Sequence, residues 1–187
     1  MPQDPAVLTG AIGDYDTAIS DDRSSITFRD LRPDAPDGVV TVALGEEVVL
    51  GGVRHVVRFT PEAGSELVLT DVEMTQPSIL MGDGDVLLRV DEGTPVEVDL
   101  GTANLTVGEM SHVILGVSDV TGSAFDDQIT GGADGNVLSG GGGDDLIDGA
   151  GGQDRAVWEG SLDGFSVAYD ASASTFAISD RDGGEGT

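Results

Sequence analysis

Gly122, Gly131, Gly140 and Gly149 stand nine residues apart, and Val120, Ile129, Leu138, Ile147 and Ala156 keep the same interval. Each unit also carries one carboxylate or carboxamide between glycine and apolar residue: Asp127, Asn136, Asp145 and Asp154. Glycine tolerates φ > 0 and so permits a tight turn, while the two or three residues after it can place one side chain inward in a pleated strand. Such a unit cannot bury its apolar residue alone, so neighbours must stack. Two units complete a coil of about 18 residues, which sets Asp127 over Asp145 and Asn136 over Asp154. A glycine-rich flexible linker has no reason to keep three residue types in phase over four units.

Stacked carboxylates repel unless a cation lies between them. Hard oxygen donors at turn positions, with backbone carbonyls freed by glycine, suit Ca²⁺ at about 2.3 to 2.6 Å. Folding of this segment is therefore expected to require calcium.

These residues resemble the RTX, or haemolysin-type, calcium-binding nonapeptide repeats of secreted bacterial proteins, over residues 122–157 only. The resemblance implies a short right-handed parallel β-roll in which each ion is held by aspartates and backbone carbonyls of two stacked loops. One ion would lie between Ser123, Phe125 and Asp127 and the loop of Gly140, Gly142 and Asp145. A second would lie between Gly132, Asp134 and Asn136 and the loop of Gly149, Gly151 and Asp154. Phe125 and Asp134 replace the usual fourth-position glycine, and Asn136 replaces an aspartate, so the second site is expected to be the weaker. Asp126 and Asp144 read as solvated loop carboxylates. The resemblance also implies secretion in an unfolded form, typically by the type I route, and folding outside the cell or at its surface.

The formal charge is −27, with 35 acidic residues against 8 arginines and no lysine. Such a polyanion excludes nucleic-acid binding by phosphate neutralisation and is repelled by anionic membrane surfaces. Its self-repulsion opposes compaction until cations bind. Cysteine is absent, which removes disulfides and thiolate metal sites. The start, Met1-Pro-Gln-Asp4, lacks the pattern of a cleavable signal peptide, and no apolar run of about 18 residues offers membrane insertion.

A longer repeat has a period of 150 residues: Gln3-Asp4-Pro5-Ala6-Val7 matches Gln153-Asp154-Arg155-Ala156-Val157. Tyr15, Ile26, Phe28 and Asp30 likewise match Phe165, Phe176, Ile178 and Asp180. Residues 1–38 then read as the β-hairpin that follows a preceding β-roll, 39–121 as a β-rich region, 122–157 as the repeat segment and 158–187 as a capping β-hairpin. The fold class expected is all-β: a short parallel β-roll with flanking hairpins and a β-sandwich-like or irregular β-solenoid region. Short β-branched runs from Val39 to Leu115 are punctuated by glycine, proline and aspartate, as strands of that kind require. Residues 96–121 are expected to coil on the same axis as the repeats.

Other chemistry finds little support. Met81-Gly82-Asp83-Gly84-Asp85 breaks the nine-residue phase and reads as an Asp-Gly turn joining Ser78–Leu80 to Val86–Leu88 in a hairpin. His55 and His112 sit in apolar strand-like runs, where facing solvent or a satisfied polar partner is the ordinary state, so zinc chemistry is not expected. Asn104-Leu105-Thr106 is an accidental glycosylation sequon. Trp158 is expected to cover the open end of the β-roll. No nucleophile elbow, phosphate loop or zinc-protease motif is present, and paired carboxylates carry no signal among so many acids. The expected function is a non-enzymatic, extracellular calcium-binding module of a larger repeat-containing protein, its partners being calcium ions and neighbouring repeats of the parent chain. Two alternatives stay open: an accessory module of a secreted protease, lipase or polysaccharide-modifying enzyme, and an adhesin or extender binding a glycan or cell-surface partner.

Overall fold

The computed structural model describes residues 4–59, 66–70, 76–82, 86–91, 93–158, 165–170 and 175–180. Those residues are all-β apart from one 3-10 turn at Ile12–Asp14. Strand β1 (Ala6–Leu8) precedes that turn, and β2 (Tyr15–Ile19), β3 (Ser25–Asp30) and β4 (Val39–Ala43) follow it. The middle of the chain supplies β5 (Glu47–Leu50), β6 (Val53–Phe59), β7 (Glu66–Thr70), β8 (Ser78–Met81) and β9 (Leu87–Asp91). Then come β10 (Val96–Asp99), β11 (Asn104–Val107), β12 (Met110–Leu115) and β13 (Asp119–Thr121). Four three-residue strands fall in the repeats: β14 (Gln128–Thr130), β15 (Val137–Ser139), β16 (Leu146–Asp148) and β17 (Arg155–Val157). Last are β18 (Phe165–Asp170) and β19 (Thr175–Asp180), which pair antiparallel.

Two open sheets dominate. The larger runs β1-β5-β6-β8-β12-β11-β10-β14-β16 and the smaller β17-β15-β13-β9-β7, while β2, β3 and β4 form an antiparallel sheet of their own. In the repeats, successive strands alternate between the two large sheets. Partners therefore lie 18 residues apart: Ile129 pairs with Ile147, Val120 with Leu138, and Leu138 with Ala156, all in parallel register. The same ladders continue upstream, with β10 beside β14 and β9 beside β13.

Alternation within β8 explains how the core is divided. Leu80 joins Leu88, Val98, Leu105, Ile114, Val120, Ile129 and Leu138 in one cluster, and its neighbours Ile79 and Met81 join a second with Leu8, Ile26, Phe28, Val42, Val48 and Val57. All four β8 residues are buried, so this strand is covered on both faces. Complete burial of a side chain such as Phe28 or Ile79 stabilises by about 1.5 to 3 kcal/mol. Between β5 and β6, Gly51 and Gly52 have φ of +57° and +84° in a two-residue turn. Both central residues of such a type I′ turn need positive φ, which is why glycine stands at each.

Arg32 fixes the corner after β1. Its guanidinium bonds Asp30, Asp37 and the Thr9 hydroxyl, and Asp37 also accepts from the Thr9 amide at 2.7 Å and from the Tyr15 hydroxyl. The ion pair holds the Asp30 carboxyl well below the usual range.

Two expectations change, on the hairpin after β8 and on His112. Strands β8 and β9 belong to different sheets, so the segment between them crosses from one sheet to the other and no hairpin joins them; Asp83, Gly84 and Asp85 lie outside the described residues. Asn104–Thr106 is part of a strand, with Leu105 fully buried. His112 neither faces solvent nor has a partner: it is 1 % exposed and both ring nitrogens lack a hydrogen bond. Burial, then the nearby His55 and Arg58 charges, push its pKa down to about 4, so the ring stays neutral. His55 is buried too, with Nδ1 3.0 Å from the Val53 carbonyl oxygen. Trp158 is half-buried.

Candidate metal centre

The loops that precede the repeat strands stack at the same interval as the strands. Around the first pair, the Asp127 amide donates to Asp145 Oδ1 at 3.0 Å, Leu146 donates to the Asp127 carbonyl at 2.8 Å, and Gly142 donates to the Ser123 carbonyl at 3.1 Å. Asp144 donates to Asp126 Oδ1 at 2.8 Å. The second pair repeats this. Asn136 donates to Asp154 Oδ1 at 3.0 Å, Arg155 to the Asn136 carbonyl at 2.8 Å, and Gly151 to the Gly132 carbonyl at 2.9 Å. Each lower carboxylate thus ties its loop to the one above.

Ser123 is brought against Gly142 and Asp127 against Asp145, Gly132 against Gly151 and Asn136 against Asp154, whereas Gly140 and Gly149 lie against Gly122 and Gly131, and Phe125 and Asp134 against Gly143 and Gly152. Close backbone approach marks both interfaces: a Cβ on Gly143 would lie 2.5 Å from the Phe125 carbonyl carbon, and one on Gly152 2.6 Å from that of Asp134. Gly141, Gly143 and Gly152 have φ near +100°. Neither Phe125 nor Asp134 is among the residues with positive φ, so the fourth position of the first two units does not need glycine.

The side chains at the sixth position differ in what they face. Asp127 is 1 % exposed, and its carboxylate accepts from the Val96 amide at 2.8 Å, the Ser123 hydroxyl at 2.9 Å and the Ser123 amide at 2.5 Å. Asn136 is buried as well, accepting from the Gly132 amide at 2.8 Å and donating to the Ser118 carbonyl at 2.7 Å. Asp145 is half-buried and Asp154 exposed. Burial, followed by the charges of Asp127, Asp126 and Asp144, pushes Asp145 up to about 6. Burial raises Asp127 too, against the hydrogen bonds that lower it. The Asp127–Asp145 stack is therefore a concentration of negative charge in a partly dehydrated place.

Among the described residues, no three carboxylate or imidazole side chains converge as a metal cluster. A cation here has to take backbone carbonyls along with its carboxylates. The donor set suits a hard cation, because only oxygen is offered and Asp145 is an under-compensated anion.

The repeat motif did not point to Ser118, Asp119 or Val96. Asp119 Oδ1 accepts from the Val137 amide at 2.8 Å, and Ser118 stands 18 residues before Asn136. Extending the rhythm one degenerate unit upstream would have found both. Nothing in the local pattern marks Val96, which reaches Asp127 from β10.

Residues 121–156 match the family model of the RTX calcium-binding nonapeptide repeat, in four copies. This segment consists of RTX repeats. The match spans the stacked loops, from β13 to the middle of β17. No curated protein and no solved structure matches the chain. Among the described residues no helix is long and apolar enough to cross a membrane.

Proposed function

We propose that the chain is a non-enzymatic, extracellular calcium-binding module, exported unfolded and folded by calcium outside the cell, within a larger repeat-containing protein. The RTX segment forms its right-handed parallel β-roll when ions enter between stacked loops. Asp127 and Asp145, with the carbonyls of Ser123, Phe125, Gly140 and Gly142, hold one ion. Asp154 and Asn136, with the carbonyls of Gly132, Asp134, Gly149 and Gly151, hold a weaker one, since Asn136 brings no charge. When bound, calcium neutralises the stacked carboxylates and so removes the main penalty against packing the loops.

One observation carries this reading: the loops that match the RTX repeat stack at an 18-residue interval, with the Asp127 amide bonded to Asp145 and the Asn136 amide to Asp154. A loop stack of this kind is stabilised by a bound cation in proportion to its affinity for the folded chain. Extracellular oxygen-ligand modules bind calcium at about 10⁻⁴ to 10⁻³ M, so cytosolic levels would leave the segment unfolded.

Circular dichroism tests it. In EGTA the repeat segment should contribute little β-signal, and millimolar Ca²⁺ should restore it. Asp145→Ala should raise the calcium midpoint by about tenfold, equivalent to about 1.4 kcal/mol. A spectrum indifferent to chelation, or an unmoved midpoint in the variant, would contradict the assignment.

A further inference from the structure

We propose that the open edge of β17 is the docking site for a second copy of this chain, whose β5 gives up its own β1 and pairs with β17 in its place, as β5 here pairs with β1. The inference extends the reading of the chain as part of a repeat-containing protein, and four observations carry it.

The sequence period of 150 residues makes β1 the equivalent of β17, with Ala6 corresponding to Ala156. The hairpins that follow the two strands share one register: Tyr15 pairs with Asp30 and Ile19 with Ile26, while Phe165 pairs with Asp180 and Tyr169 with Phe176. Every one of these pairs is displaced by the same 150 positions, so the likeness is structural as well as sequential.

The hydrogen-bonding sides are complementary. Along a strand, the N–H and C=O of one residue point to the same side and those of the next to the opposite side. Gly51 donates to the Leu8 carbonyl at 3.3 Å, so the backbone groups of Leu8 and Ala6 face β5. Arg155 donates to the Asn136 carbonyl at 2.8 Å, so the groups of Arg155 and Val157 face β15 and those of Ala156 face the open side. The position that bonds β5 in the first copy is the one left over in the last.

Side-chain phase agrees as well. Leu8 is buried beside Val48 and Leu50, with Ala6 packed against the same cluster. Ala156 stacks under Leu138 in the inward column, yet it is exposed. Finally, β1 and β17 each stand at the end of a sheet. One strand can therefore close the smaller sheet of one copy and open the larger sheet of the next, giving an extended rod in which each RTX segment is capped by the following copy.

The test is a tandem chain in which residues 1–158 run directly into residues 9–187, so that Trp158 takes the place of Leu8. Amide exchange in calcium, resolved by NMR, should find Ala156 slowed by roughly a hundredfold or more against the single chain, with Arg155 protected in both. The protein has no cysteine, so Ala156→Cys with Val48→Cys in the second copy adds an independent reading. Ala6 and Val48 are register partners, and adjacent parallel strands lie about 4.8 Å apart, within disulfide reach. The disulfide should form, and Ala156→Cys with second-copy Thr41→Cys should not.

An Ala156 amide that exchanges as fast as in the single chain, with Arg155 still protected, overturns the inference. So does loss of protection at both, because a second copy in the native phase must support β17. Failure of calcium-driven folding would look different, with Arg155 equally protected in EGTA.

Discussion

Asp127→Ala is expected to be the most damaging single substitution in the RTX segment, lowering unfolding free energy by about 4 kcal/mol in calcium. The carboxylate is 1 % exposed and accepts from two backbone amides, Val96 and Ser123, and from the Ser123 hydroxyl. Alanine leaves those amides buried without acceptors, each costing about 1 to 3 kcal/mol. It also breaks the tie between β10 and the first loop and removes a carboxylate proposed above to bind calcium. Asp127→Asn should cost less than alanine yet more than about 1 kcal/mol: it keeps one acceptor oxygen, but its NH2 meets an N–H or O–H donor where that of Asn136, in the next unit, meets the Ser118 carbonyl. Urea unfolding of the three proteins in calcium checks the order. A loss below about 1 kcal/mol for the alanine variant would mean that Asp127 does not organise the loop.

Gly141→Ala should come next, at about 3 kcal/mol. Gly141 has φ of +100°, a region that alanine occupies only with strain, and a Cβ there would run into the Ser123 carbonyl oxygen. The obstacle is backbone, held in the stacked loop, so it cannot swing aside. Gly142→Ala is the matching control: its nearest contact for an added Cβ is the Ala124 Cα at 3.7 Å, which is ordinary packing. That variant should lose less than about 1 kcal/mol. Equal losses at the two positions would deny that the stacked-loop backbone is what glycine serves.

The repeat segment was legible because its pattern is redundant. Glycine, carboxylate and apolar residue recur in phase, so an 18-residue stack follows from counting, and Asp127 over Asp145 with it. Strands outside the repeats were legible where β-branched residues cluster, as in Val53–Phe59 and Val96–Asp99. Weak or interrupted patterns hid the others. The three-residue strand at Asp119–Thr121 keeps Val120 in phase but has Gly116 three residues ahead of it instead of the glycine pair of the later units, and Asn104–Val107 carries only one β-branched apolar residue. Hairpin logic failed between β8 and β9 because an Asp-Gly turn reports a change of direction and cannot say whether the partner lies in the same sheet or across the core. His112 was misread for a related reason. A histidine in an apolar run gives no sign whether its face meets solvent or the interior, and here the face is the one that carries Ile114 into the core.

Composition constrained what the molecule can tolerate more than how it folds. A charge of −27 says that compaction is opposed, but only the stacking shows where the opposition concentrates. It concentrates on Asp145, whose neighbours Asp126, Asp127 and Asp144 are all acids. Phe125 and Asp134, which look like defects of the motif, fall where the backbone has no need of glycine. Phe125 is also 43 % exposed, and Leu146 on the strand edge is 64 % exposed.

Hydrogen exchange of the full chain, with millimolar calcium and then with excess EGTA, tests the central claim most directly. The amides of Asp127, Leu146, Asn136 and Arg155 all bond from one loop layer to the next and report the stack itself. The account predicts that they are protected in calcium and exchange at close to unfolded rates in EGTA. Equal protection of those four amides in both conditions would contradict it.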